Sequence, residues 1–394
     1  MKPEDIRQVK NVMGPVTTAR GLPNAFYGDP DVHAREQQLV FHENWACIGF
    51  GKDVMEAGDA MPVTHLGIPL LIVRDRDDTI RVFQNVCRHR GMILVDKPTK
   101  IKGVIACPYH AWCYELNGKL RATPHVGGPG RNVDDHIDRA TLGLIEVRSR
   151  VWMDIVFVNM AGDAPTFEEH MAPLLERWGD FAGKPVFHGG ADSSFTLRVQ
   201  TNWKLAVENY CESYHLPWVH PGLNSYSRLE DHYHITEPGL YSGQGTLVYD
   251  PKLDDTGRAF TNFADLPAKW DRGAEYISLF PNVLLGIHRD HFYAIRLEPI
   301  SQSETVEHVE IYYTDPEMLG DDYADLRAKN AALWKGIFIE DIGVVEGMQA
   351  GRAAPGFDGG KFSPAMDEPT HTFHHWVASQ FAGHLEGASI SPAT

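Results

Sequence analysis

Four residues of types that can bind transition metals lie in two short groups, Cys87-x-His89 and Cys107-x-x-His110, with seventeen residues between them. Two thiolates and two imidazoles form a set of soft and borderline donors that suits zinc or an iron–sulfur centre. Structural zinc fingers usually take their second pair as two histidines on a helix. Here each group contributes one cysteine and one histidine in the same order. A zinc site, or core cysteines with incidental histidines, is the alternative.

A second group of possible metal ligands contains Glu212, His215 and His220. Glu212 and His215 are three residues apart and would meet on one helical face. His215 and His220 are five apart, which splays them by about 140° on a continuous helix. If the helix ends near His215 and the chain turns at Pro217, His220 can face the same point. Two histidines and one carboxylate form the facial site of non-haem iron(II) enzymes; two satisfied core imidazoles are the alternative.

The third ligand of such a site can come from elsewhere in the chain, and Asp341 is the candidate. The pattern from about residue 323 to 349 is helical, and five of its residues share one face: Trp334, Phe338, Asp341, Val345 and Met348. A carboxylate on an apolar face must find a cation or hydrogen bonds. From residue physics alone, iron ligation and a buried pair with an arginine are equal hypotheses.

The two Cys/His groups are followed by Asn202-Trp203-Lys204, by Glu208-Asn209 and by the acid-x-x-His-x(4)-His run that starts at Glu212. This order resembles the α subunits of the Rieske non-haem iron oxygenases. The resemblance implies a two-iron, two-sulfur cluster in which Cys87 and Cys107 hold one iron and His89 and His110 hold the other. Neutral imidazoles on one iron raise the reduction potential above that of all-cysteine ferredoxins. It also implies that His215, His220 and Asp341 bind a mononuclear Fe(II).

The resemblance also suggests an assembly and a substrate class. Family members commonly form head-to-tail homotrimers, and many have an aspartate that links the first iron-binding histidine to a cluster histidine of the adjacent subunit. This chain has Glu212 at that position, which would connect His215 to His110 of the partner subunit. The run Glu-x-Tyr-His-x-Pro-x-x-His-Pro from Glu212 resembles the branch acting on quaternary ammonium compounds such as glycine betaine, choline, carnitine or proline betaine.

The function implied is that of a terminal oxygenase component, a mono- or dioxygenase. It would use O2 to hydroxylate or N-demethylate a small quaternary ammonium or betaine substrate. Residues 127–130, GGPG, do not match a dinucleotide fingerprint. NAD(P)H is therefore expected to act only through a separate reductase of flavin or ferredoxin type. An aromatic-acid ring hydroxylase or O-demethylase is the alternative, and a Rieske electron-transfer protein without oxygenase activity is a third hypothesis.

Aromatic residues near the iron segment could provide ring faces for a methylammonium cation. An aromatic-rich stretch is more often part of a core. The candidates are Trp218, Tyr226, Tyr233, Tyr241 and Tyr249.

Composition limits the partners and the compartment. The net charge is −17 and no segment clusters lysine and arginine, so nucleic acid is not an expected partner. The five cysteines are odd in number and sparse, which argues against a disulfide framework and for a reducing compartment. The N-terminus lacks the apolar core of a signal peptide, and no run of 18 apolar residues occurs. We therefore expect a cytoplasmic protein without a membrane segment.

The element pattern predicts an α+β protein: an all-β Rieske domain and a helix-grip catalytic domain with an antiparallel sheet. We expect an arm and helix over 1–41, the Rieske domain over 42–160 and the catalytic domain over 161–394. A capping box at Thr166 and Glu169 predicts a helix to Trp178. Strands are predicted at 45–50, 64–75, 80–86, 103–107, 151–159, 195–199, 245–250, 274–288, 291–301 and 304–314. Helices are predicted at 30–41, after an Asp29 cap, at 323–349 and through His375 to Phe381.

Overall fold

The computed structural model describes residues 3–254 and 257–385, and these divide into two compact units. One unit runs from Trp45 to Ala164. The other combines the described residues up to Asn44 with those from Pro165 onward. The N-terminal segment, expected as a separate arm, thus belongs to the same compact unit as the C-terminal part of the chain. Within the described residues, no helix is both long enough and apolar enough to span a membrane.

The 45–164 unit is built from antiparallel strands. A seven-stranded sheet has the order β1-β10-β9-β4-β3-β2-β5, and a three-stranded sheet has the order β6-β7-β8. The strands are β1 (Ala46–Phe50), β2 (Asp59–His65), β3 (Ile68–Arg74), β4 (Ile80–Gln84), β5 (Thr99–Lys100), β6 (Ile105–Ala106), β7 (Cys113–Tyr114), β8 (Leu120–Ala122), β9 (Glu146–Trp152) and β10 (Ile155–Asn159). The single strand predicted over 64–75 is wrong, because Leu66 and Gly67 take positive φ angles and turn the chain between β2 and β3.

The other unit wraps helices against one large antiparallel sheet, and the α+β class is confirmed. The sheet order is β11-β18-β17-β16-β15-β14-β13, and β12 also pairs with β18. Its strands are β11 (Phe187–His188), β12 (Ser194–Val199), β13 (His232–Glu237), β14 (Tyr241–Thr246), β15 (Ala274–Leu279), β16 (Val283–Ile287), β17 (His291–Ser301) and β18 (Glu304–Tyr313). The helices are α1 (Pro3–Val12), α2 (Ala25–Gly28), α3 (Pro30–Glu36), α4 (Phe167–Arg177), α5 (Trp203–Tyr210), α6 (Leu216–Val219), α7 (Pro221–Asn224), α8 (Ala324–Gly351) and α9 (Glu368–Leu385).

Glycine explains why the sequence pattern misplaced β14. The predicted strand began at Gly245, whereas β14 ends at Thr246. A Cβ atom at Gly243 would lie 2.0 Å from the carbonyl oxygen of Tyr276, and one at Gly245 would lie 2.2 Å from the Tyr233 ring. The strand therefore needs glycines, which lower its sequence signal. The 274–288 run, predicted as one strand, is a hairpin of β15 and β16.

Candidate active site

Two equivalent loops carry the Cys/His groups. In the first, the backbone N–H of Cys87 donates to the carbonyl of Met92 and that of Gly91 donates to the carbonyl of Cys87, at 2.8 and 3.0 Å. The second loop repeats both hydrogen bonds: the backbone N–H of Cys107 donates to the carbonyl of Trp112 at 2.8 Å, and that of Ala111 donates to the carbonyl of Cys107 at 3.0 Å. Gly91 and Ala111 both have positive φ angles, of 71° and 54°. Each loop is therefore a tight knuckle that turns its cysteine inward.

The side chains on these loops fit an iron–sulfur cluster. Both thiols are buried, and burial raises the pKa of Cys87, with the adjoining Cys107 raising it further. A buried thiol becomes a thiolate ligand only when a cation compensates its charge. The rings of His89 and His110 are 4.7 Å apart. Among the described residues, the buried Nδ1 of His110 has no hydrogen-bond partner, as expected of an atom reserved for a metal.

The second group of ligands follows helix α5, which begins at an Asn202 cap and ends at Tyr210. Glu212 and His215 do meet, since Glu212 Oε1 lies 2.6 Å from His215 Nδ1. Their contact is made in a turn rather than on a helical face, because α5 has already ended. In that turn Glu212 also accepts the backbone N–H groups of Tyr214 and His215. The carboxylate thus shapes the turn and orients the imidazole together.

His220 lies at the break between α6 and α7, where Pro221 starts the next short helix. Pro217 was expected to turn the chain but stands in the first turn of α6, and the change of direction falls at His220 instead. The His215 and His220 rings lie 5.1 Å apart. Asp341 Oδ1, on α8, is 3.0 Å from His220 Nε2 and 3.7 Å from His215 Nε2. The structure therefore brings together the three predicted ligands.

Two polar side chains for which the sequence predicted no role hold this group in place. Glu340 Oε2 lies 2.7 Å from His220 Nδ1, and Asn209 Nδ2 donates to Asp341 Oδ1 at 3.1 Å. Both histidines thus have a carboxylate at Nδ1 and turn Nε2 toward Asp341. Carboxylates in that position fix the tautomer that binds a metal. Asp341 has no ion pair with an arginine among the described residues, so the alternative of a buried Asp–Arg pair is wrong.

Electrostatics also favour a cation at this point. Burial alone would lower the pKa of His220, but Asp341 and Glu340 outweigh it and raise the pKa of that imidazole. Three donor atoms lie within 4.8 Å of one another around one point. Two neutral imidazoles and one carboxylate with open positions match the ligand set of mononuclear Fe(II). The residues present therefore fit this metal.

A cavity adjoins the three residues. Its floor is formed by four residues that lie side by side on adjacent strands of the sheet. In order across the sheet they are Gln244 on β14, Tyr276 on β15, Gly286 on β16 and Tyr293 on β17. A Cβ at Gly286 would lie 2.2 Å from Cζ of Tyr293. The glycine thus lets the Tyr293 ring lie across the floor. Five aromatic residues line the cavity: Tyr210, Tyr276, Tyr293, Trp334 and Phe338.

The five aromatic residues proposed from sequence do not line this cavity, so that prediction is wrong. Trp218 is 71% exposed. Tyr226 lines a surface pocket, and Tyr233 donates to Glu275. Tyr241 is part of the core, and Tyr249 packs behind Trp334 at a ring distance of 5.8 Å. Sequence proximity to the histidines was misleading because the sheet floor comes from later strands.

Comparison with known protein families matches both units. Residues 44–135 match the Rieske [2Fe-2S] domain, and residues 190–383 match the catalytic domain of the ring hydroxylating alpha subunit. The carnitine monooxygenase oxygenase subunit of Acinetobacter pittii (strain PHEA-2) is 28% identical over 350 residues, 86% of each chain. The chloroplastic choline monooxygenase of Spinacia oleracea is 25% identical over 376 residues, which cover 92% of this chain and 79% of the relative.

Solved structures share the fold. A quaternary ammonium Rieske monooxygenase has a TM-score of 0.74 at 24% identity, covering 96% of this chain and 98% of that one. Naphthalene 1,2-dioxygenase from Rhodococcus sp. has a TM-score of 0.74 at 16% identity, covering 99% and 100%. The matched domains imply a Rieske cluster, a mononuclear iron, the use of O2 and an external reductase, as the sequence predicted. The chain belongs to the Rieske non-haem iron oxygenases and is the α subunit that carries the catalytic domain.

Proposed function

We propose that this chain is a terminal oxygenase that hydroxylates or N-demethylates a small quaternary ammonium compound. The observation that carries the proposal is the cavity beside His215, His220 and Asp341. Aromatic rings wall it, and none of its described lining residues is a lysine or arginine. Aromatic faces attract a methylated ammonium group without requiring a hydrogen bond from it. Relatives named for carnitine, choline and glycine betaine support the same class.

In this proposal His215, His220 and Asp341 hold the mononuclear iron, and Cys87, His89, Cys107 and His110 hold the cluster. The iron, when bound, supplies the site for O2 activation, and the cluster supplies single electrons. The protein's own task is to orient both imidazoles with Nε2 toward the metal position. Glu212 and Glu340 do this by accepting the proton that each ring carries on Nδ1.

The overall reaction balances with two electrons from the reductase. A substrate with a methyl group on its quaternary nitrogen, together with O2, two electrons and two protons, gives the N-hydroxymethyl compound and water. The hydroxymethyl product then breaks its C–N bond, releasing formaldehyde, a proton and the demethylated tertiary amine. A substrate whose nitrogen carries methyl groups therefore loses one of them as formaldehyde, and this gives the reaction a measurable product.

We further propose a homotrimer in which Glu212 connects His215 to His110 of the partner subunit. The Glu212 side chain is 14% exposed, and next to it Tyr214 is 44% exposed and Trp218 is 71% exposed. This arrangement leaves the carboxylate near the surface with apolar rings beside it. Glu212→Asp shortens the bridge, and Glu212→Gln removes its charge. Both variants should keep a reducible cluster and slow electron arrival at the iron in rapid-mixing experiments, whereas full turnover in Glu212→Gln would reject the bridging role.

The reductase in this proposal is a separate protein of flavin or ferredoxin type that draws on NADH or NADPH, and the compartment is the cytoplasm. The five cysteines are free, which is compatible with a reducing compartment.

Two measurements test the proposal. Anaerobically purified protein should contain about three irons and about two acid-labile sulfides per chain, whereas an electron carrier without the second site would contain about two of each. A substrate panel with a matched reductase should then show O2-dependent formaldehyde release from trimethylammonium compounds. If trimethylammonium compounds released no formaldehyde and methoxy-aromatic acids did, the substrate class would be wrong and O-demethylation of an aromatic acid would replace it.

A further inference from the structure

One end of the cavity beside the iron ligands is polar and is formed by Ser227, His232 and Gln244. We call these three residues the polar corner. Ser227 Oγ lies 3.0 Å from His232 Nε2, and His232 Nδ1 lies 2.6 Å from Gln244 Oε1. Gln244 Nε2 in turn donates to the backbone carbonyl of Glu212 at 2.9 Å. Ser227 and Gln244 are both buried, so these bonds are shielded from bulk water.

The carbonyl of Glu212 fixes the direction of each hydrogen bond in this series, because a carbonyl oxygen can only accept. Gln244 must therefore present its N–H₂ group to Glu212 and its oxygen to His232. His232 donates from Nδ1 to that oxygen. With Nδ1 donating to Gln244, the Nε2 of a neutral ring accepts from Ser227, and burial, which lowers the pKa of His232, favours that neutral ring. The hydroxyl proton of Ser227 is then used on His232.

The contact between Ser227 and Thr246 does not free the hydroxyl proton of Ser227 for the cavity. Ser227 Oγ is 3.3 Å from Thr246 Oγ1, but the Thr246 hydroxyl donates to the carbonyl of Val248 at 3.0 Å. Whether Ser227 donates to His232 or to Thr246, its single proton is occupied. What Ser227 offers to the cavity is an acceptor lone pair. The only donor left in the corner is the second N–H of Gln244.

Apart from the position of the iron, the remainder of the cavity offers little to an anion. Among its described lining residues there is no lysine or arginine. Tyr210 donates to the carbonyl of Leu285 at 2.8 Å and lies 3.0 Å from the Tyr293 hydroxyl, and the Tyr276 hydroxyl is 3.2 Å from His288 Nε2. A carboxylate has about four acceptor sites to satisfy. Bringing one into this cavity would leave most of them unpaired, which is costly.

Arginines do line a neighbouring cavity, but aromatic rings separate it from the iron ligands. Arg258, Arg272 and Arg289 lie there together with Tyr249 and His288. Tyr249 is stacked behind Trp334, and His288 lies behind Tyr276. A ligand tail in the iron cavity would have to displace this layer before it reached a guanidinium group.

Resting on the proposed function, we propose that the polar corner selects quaternary ammonium substrates whose tail is uncharged and donates a hydrogen bond, and rejects those that end in a carboxylate. The chemical class is a trimethylammonium alcohol. In this arrangement the methylated nitrogen occupies the aromatic end, and the hydroxyl donates to Ser227 Oγ. Ser227 is thereby a residue that determines specificity.

Choline and glycine betaine form a matched pair for the test, since they differ only in whether the terminal group is a primary alcohol or a carboxylate. Calorimetric titration of the anaerobic holoenzyme should give a dissociation constant for choline that is at least about tenfold lower than that for glycine betaine. Equal or tighter binding of glycine betaine would overturn the inference. If neither choline, glycine betaine nor ethyltrimethylammonium binds, the quaternary ammonium class itself fails and the inference fails with it.

Substitution of the acceptor separates recognition from general damage. Ser227→Ala should weaken choline binding about threefold to tenfold and leave ethyltrimethylammonium, which has no hydroxyl, unchanged. Ser225→Ala is the matched control, because Ser225 is exposed and donates to the carbonyl of Gly222 outside the cavity. Equal losses for both ligands in Ser227→Ala would mean that Ser227 only supports the fold, and would overturn its assigned role.

Discussion

Glu340 provides a sharp test of how the site holds its metal. Glu340→Gln should weaken iron binding without moving the three ligands. The Glu340 carboxylate lies 2.7 Å from Nδ1 of His220, where it fixes the tautomer and increases the basicity of Nε2. Glutamine has the same length and can still accept that hydrogen bond through its amide oxygen. The substitution therefore removes the charge and keeps the shape.

The size of the effect follows from exposure. Loss of an outer carboxylate typically costs 10- to 100-fold in metal affinity, or about 1.4–2.7 kcal/mol. The Glu340 side chain is 48% exposed, so water screens its charge, and we expect a loss of about tenfold. Glu212, which does the same for His215, is only 14% exposed. Glu212→Gln should therefore lose more affinity than Glu340→Gln, toward the upper end of that range.

The pH dependence gives an independent signature. Asp341 and Glu340 raise the pKa of His220 against the effect of burial, so a proton competes with iron at Nε2 as the pH falls through that pKa. Removing the Glu340 charge lowers the pKa of His220 and weakens this competition. The affinity gap between Glu340→Gln and the natural chain should therefore be widest above the pKa of His220 and should narrow as the pH falls.

The assay is anaerobic competition for Fe(II) between the full chain, with its cluster intact, and a coloured chelator of known affinity. Glu346→Gln is the matched control on the same helix, because Glu346 accepts from the backbone N–H of Gln200 and lies outside the ligand group. An unchanged iron affinity in Glu340→Gln at pH 8, or an equal loss in the control, would refute the reasoning.

Three further predictions concern the cluster and the fold. The backbone N–H of Arg88 donates to the Tyr114 oxygen, which leaves the hydroxyl proton for Cys87 Sγ at 3.2 Å; Tyr114→Phe should lower the cluster reduction potential in a spectroelectrochemical titration, and an unchanged potential would contradict this. Burial and the charge of Asp341 raise the pKa of Glu307 to about 8, so this group stabilises the fold below pH 4.5 and loses that contribution as the pH rises through 8. Glu307→Gln should therefore gain thermal stability relative to the natural chain between pH 5 and 9, and a constant difference across that range would refute the assignment. Lys204 and Glu36 form a fully buried pair at 2.5 Å; Lys204→Met should cost about 3–5 kcal/mol in denaturant unfolding, and adding Glu36→Leu should restore most of that loss.

Sequence reasoning succeeded where chemistry is local. The two Cys/His groups sit on knuckles whose geometry is set within six residues, so their spacing was enough to predict a metal site, and the resemblance to the Rieske oxygenases identified that site as a cluster site. The capping box at Thr166 and Glu169 is present as predicted. Asp341 could be found because it interrupts an apolar helical face, and that interruption has a physical cost wherever the helix packs.

The cavity could not be predicted in the same way, because it is assembled across strands. Gln244, Tyr276 and Tyr293 are neighbours only through the register of β14 to β17. That register depends on Gly243 and Gly286, whose missing side chains make room for a backbone and a ring. Glycine weakens the strand pattern in the sequence. The glycines that shape the cavity floor are therefore the same residues that make the strands hard to recognise from the alternating sequence pattern.

The hydrogen bond between Gln244 and the carbonyl of Glu212 connects two functions that the sequence keeps 32 residues apart. Through its side chain Glu212 orients His215, and through its backbone it sets the direction of the bonds that end at Ser227. A substitution that moves the Glu212 backbone should therefore alter the polar corner as well as the iron ligand. If both proposals hold, the residue that connects the iron site to the partner's cluster also influences which substrate tails the cavity accepts, and substrate preference and electron delivery then depend on one turn of the chain.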